Sequence, residues 1–280
     1  MSLDFVKMSG SGNDFIIVDN RKGLIESDDK ETLGSLAIRL CARRTGVGAD
    51  GLVLLEDDPE VDFRWRFHNS DGSVAEMCGN ASRCVARLAH EWGMAGAELS
   101  FRTVAGIIRA WVDGRRVKVE FTTPFDLKPR IVTALDDRLV EAGFINTGVP
   151  HVVIFVDDIE AVDLEGQAPR IRYHKDFSPA GTNVNYVQVQ GKDSLLVRTY
   201  ERGVEAETLA CGTGIAASAL IAGLRGFCRP PIRVTARSGE ELTVDFTPNP
   251  QEADPWPGQV YFEGVTTKIY QGRLSGEVME

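Results

Sequence analysis

The sequence predicts an α+β protein built from two pseudo-symmetric halves, each a curved β-sheet around one central helix. Three observations carry this expectation. The chain repeats itself once, it is rich in short β runs, and each half places an apolar helix directly after a cysteine. Its 280 residues suit about two domains of roughly 150 residues.

The repeat is clearest around two cysteines. Ala75-Glu76-Met77-Cys78-Gly79-Asn80 lies over Thr208-Leu209-Ala210-Cys211-Gly212-Thr213 at an offset of 133. The same offset pairs Arg66-Phe67-His68-Asn69 with Thr199-Tyr200-Glu201-Arg202, Ala49-Asp50 with Thr182-Asn183, and Gly106 with Gly239. Upstream the offset drifts to 138, which sets Asn13 over His151. Constant order and near-constant spacing indicate a duplication. The halves are drawn as residues 1–123 with 268–280, and residues 124–267.

The elements follow in order. Residues 28–45 carry Leu33, Leu36, Ala37, Leu40 and Cys41 on one helical stripe, stopped by Gly46. Residues 79–92 repeat the pattern with Ala81, Cys84, Val85, Leu88, Ala89 and Trp92. Residues 214–224 are apolar nearly all round, the mark of a helix buried on every side. Strands are expected at Phe15–Val18, Leu52–Leu55, Phe63–Phe67, Ile107–Val112, Val117–Phe121, Val152–Val156, Asn185–Val189, Leu195–Tyr200, Ile232–Ala236 and Leu242–Phe246. Pro124 with Phe125–Pro129 reads as a crossover, and Thr247–Gly258 as a surface loop.

Composition narrows the function. A net charge of −10 argues against nucleic acid or an anionic membrane as partner, since both favour basic patches. There is no apolar run long enough for a membrane span and no signal-type N-terminus, so the cytosol is the expected location. Five cysteines without a C-x-x-C pair fit neither a disulfide framework nor a zinc knuckle, and the four histidines show no metal-ligand spacing. Cys41 and Cys84 fall on helix stripes and are assigned to the core; Cys228 lies in a loop and has no assigned role.

Cys78 and Cys211 are different. Each precedes a glycine and a helix start, where free amides and the helix dipole favour a thiolate and can hold a carboxylate. Two such sites, facing each other after duplication, suit inversion at a carbon. One thiolate removes a proton and the opposite thiol delivers one, without pyridoxal phosphate.

Gly10-Ser11-Gly12-Asn13-Asp14-Phe15, Phe67-His68-Asn69-Ser70-Asp71-Gly72, Met77-Cys78-Gly79-Asn80, Pro150-His151, Asn183-Val184-Asn185-Tyr186, Tyr200-Glu201-Arg202-Gly203 and Ala210-Cys211-Gly212-Thr213-Gly214 occur in this order. The set resembles the diaminopimelate epimerase family from residue 5 to about residue 272. The resemblance implies a cofactor-independent conversion of LL-diaminopimelate to the meso form. It also implies two mirrored halves, each a strand barrel round a helix, and a homodimer. Cys78 and Cys211 would be the acid/base thiols, tuned by His151 and Glu201. Substrate would contact Asn13, Asn69, Gly79, Asn80, Asn183, Glu201, Arg202, Gly212 and Thr213, with one of the three asparagines 13, 69 and 183 mainly structural. Two positions depart from many members: Val149 stands in place of Asn, and Gly51 in place of the Gln of some. The rival readings are a proline racemase or hydroxyproline epimerase, which has His where Asn80 stands, a dithiol redox sensor, and a non-catalytic amino acid binding module.

Overall fold

The computed structural model describes residues 3–25, 30–121, 123–135, 138–248 and 257–279. The chain divides into two compact units, Met1–Val119 with Gly264–Glu280, and Glu120–Glu263.

The first unit contains β1 (Leu3–Gly10), β2 (Asn13–Asp19), α1 (Lys30–Cys41), β3 (Gly51–Glu56), β4 (Phe63–Asn69), α2 (Gly79–Glu91), β5 (Glu98–Thr103), β6 (Gly106–Asp113) and most of β7 (Arg116–Phe121). The second contains β8 (Phe125–Leu135), β9 (Arg138–Asn146), β10 (Pro150–Phe155), α3 (Leu164–Arg172), β11 (Asn183–Gly191), β12 (Ser194–Glu201), β13 (Ala206–Thr208), α4 (Gly212–Leu224), β14 (Ile232–Thr235) and β15 (Glu241–Pro248). The long strand β16 (Pro257–Leu274) begins in the second unit and ends in the first, followed by a last turn at Gly276–Met279.

The two units share one wiring. In the first, β2 and β3 are parallel across α1, β3 and β4 antiparallel, and β4 and β5 parallel across α2. In the second, β10 and β11 are parallel across α3, β11 and β12 antiparallel, and β12 and β14 parallel across α4. Parallel neighbours need a crossover, and helices supply it. The first unit closes on itself: β16 pairs with β1, β7 lies beside β16, and Thr266 N–H donates to Arg115 O at 2.8 Å.

In each unit one crossover helix fills the core. α2 packs against β1, β2 and β6, burying Ala81, Cys84, Val85, Leu88 and Ala89 completely. α4 packs against β9–β12, β14 and β15 and buries Ile215, Ala216, Ala217, Leu220 and Ile221. Close approach of α4 to the sheet needs Gly143 on β9, where a Cβ would lie 2.5 Å from Ile221 Cγ2.

Three sequence expectations change. The segment Phe125–Pro129 is not a crossover but the start of β8, a largely exposed strand whose Pro129 is tolerated because β8 ends its sheet. Thr247 and Pro248 close β15 while Pro257 and Gly258 open β16; the remainder of the expected loop, 249–256, lies outside the described residues. Cys228 lies after α4 as expected but is buried, its thiol set 3.5 Å from Gly191 O. No helix among the described residues is long and apolar enough to cross a membrane.

Candidate active site

Cys78 and Cys211 hold the same local position. Each is the residue before a 13-residue helix, with extended backbone (φ −147°, ψ 118° and φ −117°, ψ 106°). An oxygen-bearing residue there would cap a first-turn amide. Neither cysteine makes a capping bond of that geometry, but first-turn amides still act on the sulfurs, those of Ala81 and Asn80 on Cys78 and that of Gly214 on Cys211.

In the first unit, Cys78 borders a cavity of about 470 Å³ lined also by Asn13, Asp50, Phe67, Asn69 and Met77. A larger hollow of about 670 Å³ beside Asp4, Lys22 and Arg273 contains none of the candidate residues. A chain of side chains orders the amides around the cysteine. Fully buried Arg83 donates to Ser11 and, at 3.0 Å, to Asn80 Oδ1. Asn80 Nδ2 then donates to Asn13 Oδ1 at 2.8 Å, and Asn13 Nδ2 to Asp50 at 3.0 Å. Gly79 is the first residue of α2, and its carbonyl accepts from Arg83 at 3.3 Å. Asn69 donates to Ser73 at 2.9 Å within the turn that follows β4. Gly51 has a structural reason: a Cβ there would meet Phe67 Cε2 at 2.4 Å, so the Phe67 ring fills the space a longer residue would need.

In the second unit, Cys211 Sγ lies 3.4 Å from Thr213 Oγ1, and the Glu201 carboxylate acts on its thiol through its charge. Glu201 also accepts from Thr208. Gly212 and Thr213 form the first turn of α4, and Thr147 Oγ1 holds Thr213 O at 2.9 Å. Asn183 is spent on backbone: Nδ2 donates to Pro150 O at 3.0 Å and Oδ1 accepts from Arg202 N–H at 2.8 Å. Of the three asparagines it has the most structural setting. Arg202 Nη1 donates to Ala180 O at 2.9 Å. Val149 contributes only backbone, its carbonyl accepting from Thr147 N–H at 3.2 Å.

His151 is fully buried at the start of β10. Asn185 Nδ2 lies 3.1 Å from its Nδ1, and Nε2 has no hydrogen-bond partner among the described residues. Burial, seconded by the Arg202 charge, lowers its pKa to about 3, so the imidazole is neutral near pH 7.

The expectation that helix starts would lower both thiol pKa values is corrected. Burial raises Cys78, although the Ala81 and Asn80 amides and the Arg83 charge oppose it. Burial first and the Glu201 charge second push Cys211 up to about 12, against the pull of Thr213 and the Gly214 amide. Glu201 is itself raised by burial, opposed by the bond from Thr208 and by Cys211. Desolvation outweighs the amides because a thiolate loses far more hydration than one helix end restores. Thr208, Asn185, Thr199 and Arg83 escaped sequence reasoning. No clear signal marked Asn185 and Thr199, because β11 and β12 mix several polar residues with apolar ones.

The model of the family described as diaminopimelate epimerase matches residues 5–124 and 143–253. Among relatives, the diaminopimelate epimerase of Aquifex aeolicus (strain VF5) is 48% identical over 286 residues, covering 99% of this chain and 100% of that one. That of Hydrogenobaculum sp. (strain Y04AAS1) is 43% identical, covering 97% and 98%. Among solved structures, a phenazine biosynthesis protein of the PhzF family from Enterococcus faecalis has a TM-score of 0.71 at 14% identity, covering 98% of this chain and 100% of that one. A probable proline racemase from Agrobacterium radiobacter K84 has a TM-score of 0.68 at 15% identity, covering 98% and 93%. Those distant structures share the fold. A family model that matches in both units, and relatives aligned from end to end, establish that the chain belongs to the diaminopimelate epimerase family.

Proposed function

We propose that the protein interconverts LL-2,6-diaminopimelate and meso-diaminopimelate by two-cysteine acid/base catalysis, without pyridoxal phosphate, in the supply of lysine and peptidoglycan precursors. The observation that carries this reading is the pair of cysteines, each uncapped before an equivalent 13-residue helix, in a chain of this family.

The chemistry needs one base and one acid at a single α-carbon. Cys78 is the better base: Arg83 and two amides favour its thiolate. Cys211 is the thiol that stays protonated: burial, and then the Glu201 charge, keep the proton in place. As the thiolate takes the α-proton, the opposite thiol delivers its own, and the configuration inverts. Charge developing beside the α-carboxylate is met by first-turn amides at Gly79, Asn80, Gly212 and Thr213. Inversion leaves Cys78 as the thiol and Cys211 as the thiolate, the state that runs the reverse direction; another forward turnover requires Cys78 to lose its proton to solvent and Cys211 to regain one from it. Arg202 suits a distal carboxylate and the amides of Asn13 and Asn69 suit the remaining polar groups, while Asn183, bonded to Pro150 O and Arg202 N–H, holds Arg202 in place. The enzyme acts as a cytoplasmic homodimer, which sedimentation of the purified protein tests directly.

The decisive experiment is incubation in deuterated water with LL-diaminopimelate and, separately, with proline. Deuterium entering one α-carbon of diaminopimelate with inversion, lost in Cys78→Ser and in Cys211→Ser, supports the proposal. Exchange with proline alone refutes it.

A further inference from the structure

His151 raises a question that the two-thiol reading leaves open. It is one of the most buried polar groups in its unit, yet one of its ring nitrogens has no partner among the described residues. The surrounding bonds decide which nitrogen carries the proton. Asn185 Nδ2 is 2.9 Å from Val152 O, and a carbonyl can only accept, so the amide NH₂ must point that way. The other end agrees: Thr199 Oγ1 donates to Asn185 Oδ1 at 2.9 Å. The second hydrogen of the same NH₂ then falls on His151 Nδ1 at 3.1 Å, which must present a lone pair. A neutral imidazole with Nδ1 unprotonated carries its hydrogen on Nε2. The ring lies against the first turn of α4, where a Cβ on Gly214 would be 3.3 Å from His151 Cε1 and 2.3 Å from Asn185 Oδ1.

We propose that Asn185, held by Thr199 and Val152 O, is a positioning residue that fixes His151 as the Nε2–H tautomer, making His151 a hydrogen-bond donor to an anionic group of the ligand rather than a proton acceptor. The inference rests on the proposed reaction for its ligand, a carboxylate at the helix start, but the tautomer itself does not depend on it. Four features converge on the donor role. The Nδ1 lone pair is occupied. The Nε2 hydrogen is buried and unspent among the described residues, which is costly until a ligand accepts it. The adjacent first turn also offers only donors. Glycine at 214 leaves room for the Asn185 amide at the helix start, so the positioning chain and the anion-binding turn are packed as one unit.

The test is a long-range proton–nitrogen correlation spectrum of protein labelled with nitrogen-15 at histidine, with the His151 signals assigned through His151→Gln. The expected pattern is a protonated Nε2 and an unprotonated Nδ1 at pH 7. A protonated Nδ1, or a cationic ring, overturns the inference. Asn185→Asp, whose carboxylate cannot donate, is expected to move the proton to Nδ1. Kinetics supply a second reading. His151→Gln keeps an N–H donor but cannot take a proton, so it should retain most of kcat, while His151→Phe should raise KM about 10- to 100-fold. Equal losses of kcat in both variants, of about 10²–10⁴-fold, would mark a proton-transfer role and overturn the donor role. Failure of wild-type protein to exchange the α-proton would sink the reaction and leave the tautomer standing.

Discussion

Acid should weaken the fold through His151, and by a calculable amount. The folded imidazole has a pKa of about 3 against an ordinary value of 6.5, chiefly because it is buried. Below about pH 6.5 the unfolded chain therefore binds a proton that the folded chain refuses. Stability is lost as pH falls from about 6.5 toward about 3 and is constant above that window. At about 1.36 kcal/mol per pH unit, the loss at pH 4 is about 3 kcal/mol, rising to about 5 kcal/mol when the folded ring finally protonates. Other groups also respond to acid, notably Asp58, held down to about 2 by Arg102. They are common to wild type and His151→Gln, so the comparison of the two isolates the histidine. The assay is urea unfolding followed by circular dichroism at pH 7 and pH 4 for both proteins. Wild type should lose about 3 kcal/mol more than the variant between the two pH values. Equal losses would show that His151 protonates in the folded state near its ordinary pKa, and would refute the burial argument.

Three further outcomes follow from close contacts and charges. Gly214→Ala puts a methyl 2.3 Å from Asn185 Oδ1; overpacking of this kind should cost about 1–3 kcal/mol in a urea melt and shift the His151 nitrogen signals. Glu201→Gln removes the charge that helps hold the Cys211 proton, so the thiol should titrate below about 12 when followed by alkylation rate against pH, while epimerisation falls about 10²–10⁴-fold. An unchanged titration would show that Glu201 is not electrostatically linked to Cys211. Ile221→Ala empties a fully buried site beside Gly143 and should cost about 2–5 kcal/mol by the same unfolding assay, without altering thiol titration.

Where apolar spacing reports burial, the sequence announced the structure. α2 and α4 were visible because their stripes are fully buried and a Cys-Gly pair marks each start. β8 was invisible for the opposite reason: most of its side chains are exposed, so no alternation is written into it, and Pro129 argued against a strand. α3 is short, polar on much of its surface and contains Pro169, and it is held at its start by Asp163 accepting from Gly166 N–H at 3.1 Å. At the site, residue identity in a motif pointed to the two cysteines and Glu201 as candidates. It could not give Asn185, Thr199 or Thr208, whose roles exist only once strands bring them beside His151 and Glu201. Nor could it give the thiol pKa values, because the helix-end effect is local and readable while desolvation depends on everything packed around the sulfur.

A duplicated scaffold has an inherent difficulty as an acid/base catalyst. Two copies of one site supply two equal thiols, whereas inversion needs an acid and a base that differ. The differences found here sit at equivalent positions of the repeat. At the offset of 133, Arg83 in α2 matches Ala216 in α4, and Glu201 matches His68. The first unit thus places a buried cation near Cys78, and the second a carboxylate on Cys211. These charges act with opposite sign on the two sulfurs, while the helix starts act alike on both. The same logic extends to Asn13 and His151, which the offset of 138 superposes. Each accepts a hydrogen bond from a neighbouring asparagine amide, Asn80 for Asn13 and Asn185 for His151. The supporting asparagines are not themselves equivalent, since the offset of 133 sets Asn80 over Thr213, so each half orders its own side chain by a separate route. Duplication supplies the geometry twice, and a few buried substitutions separate the halves chemically without altering the fold that holds them.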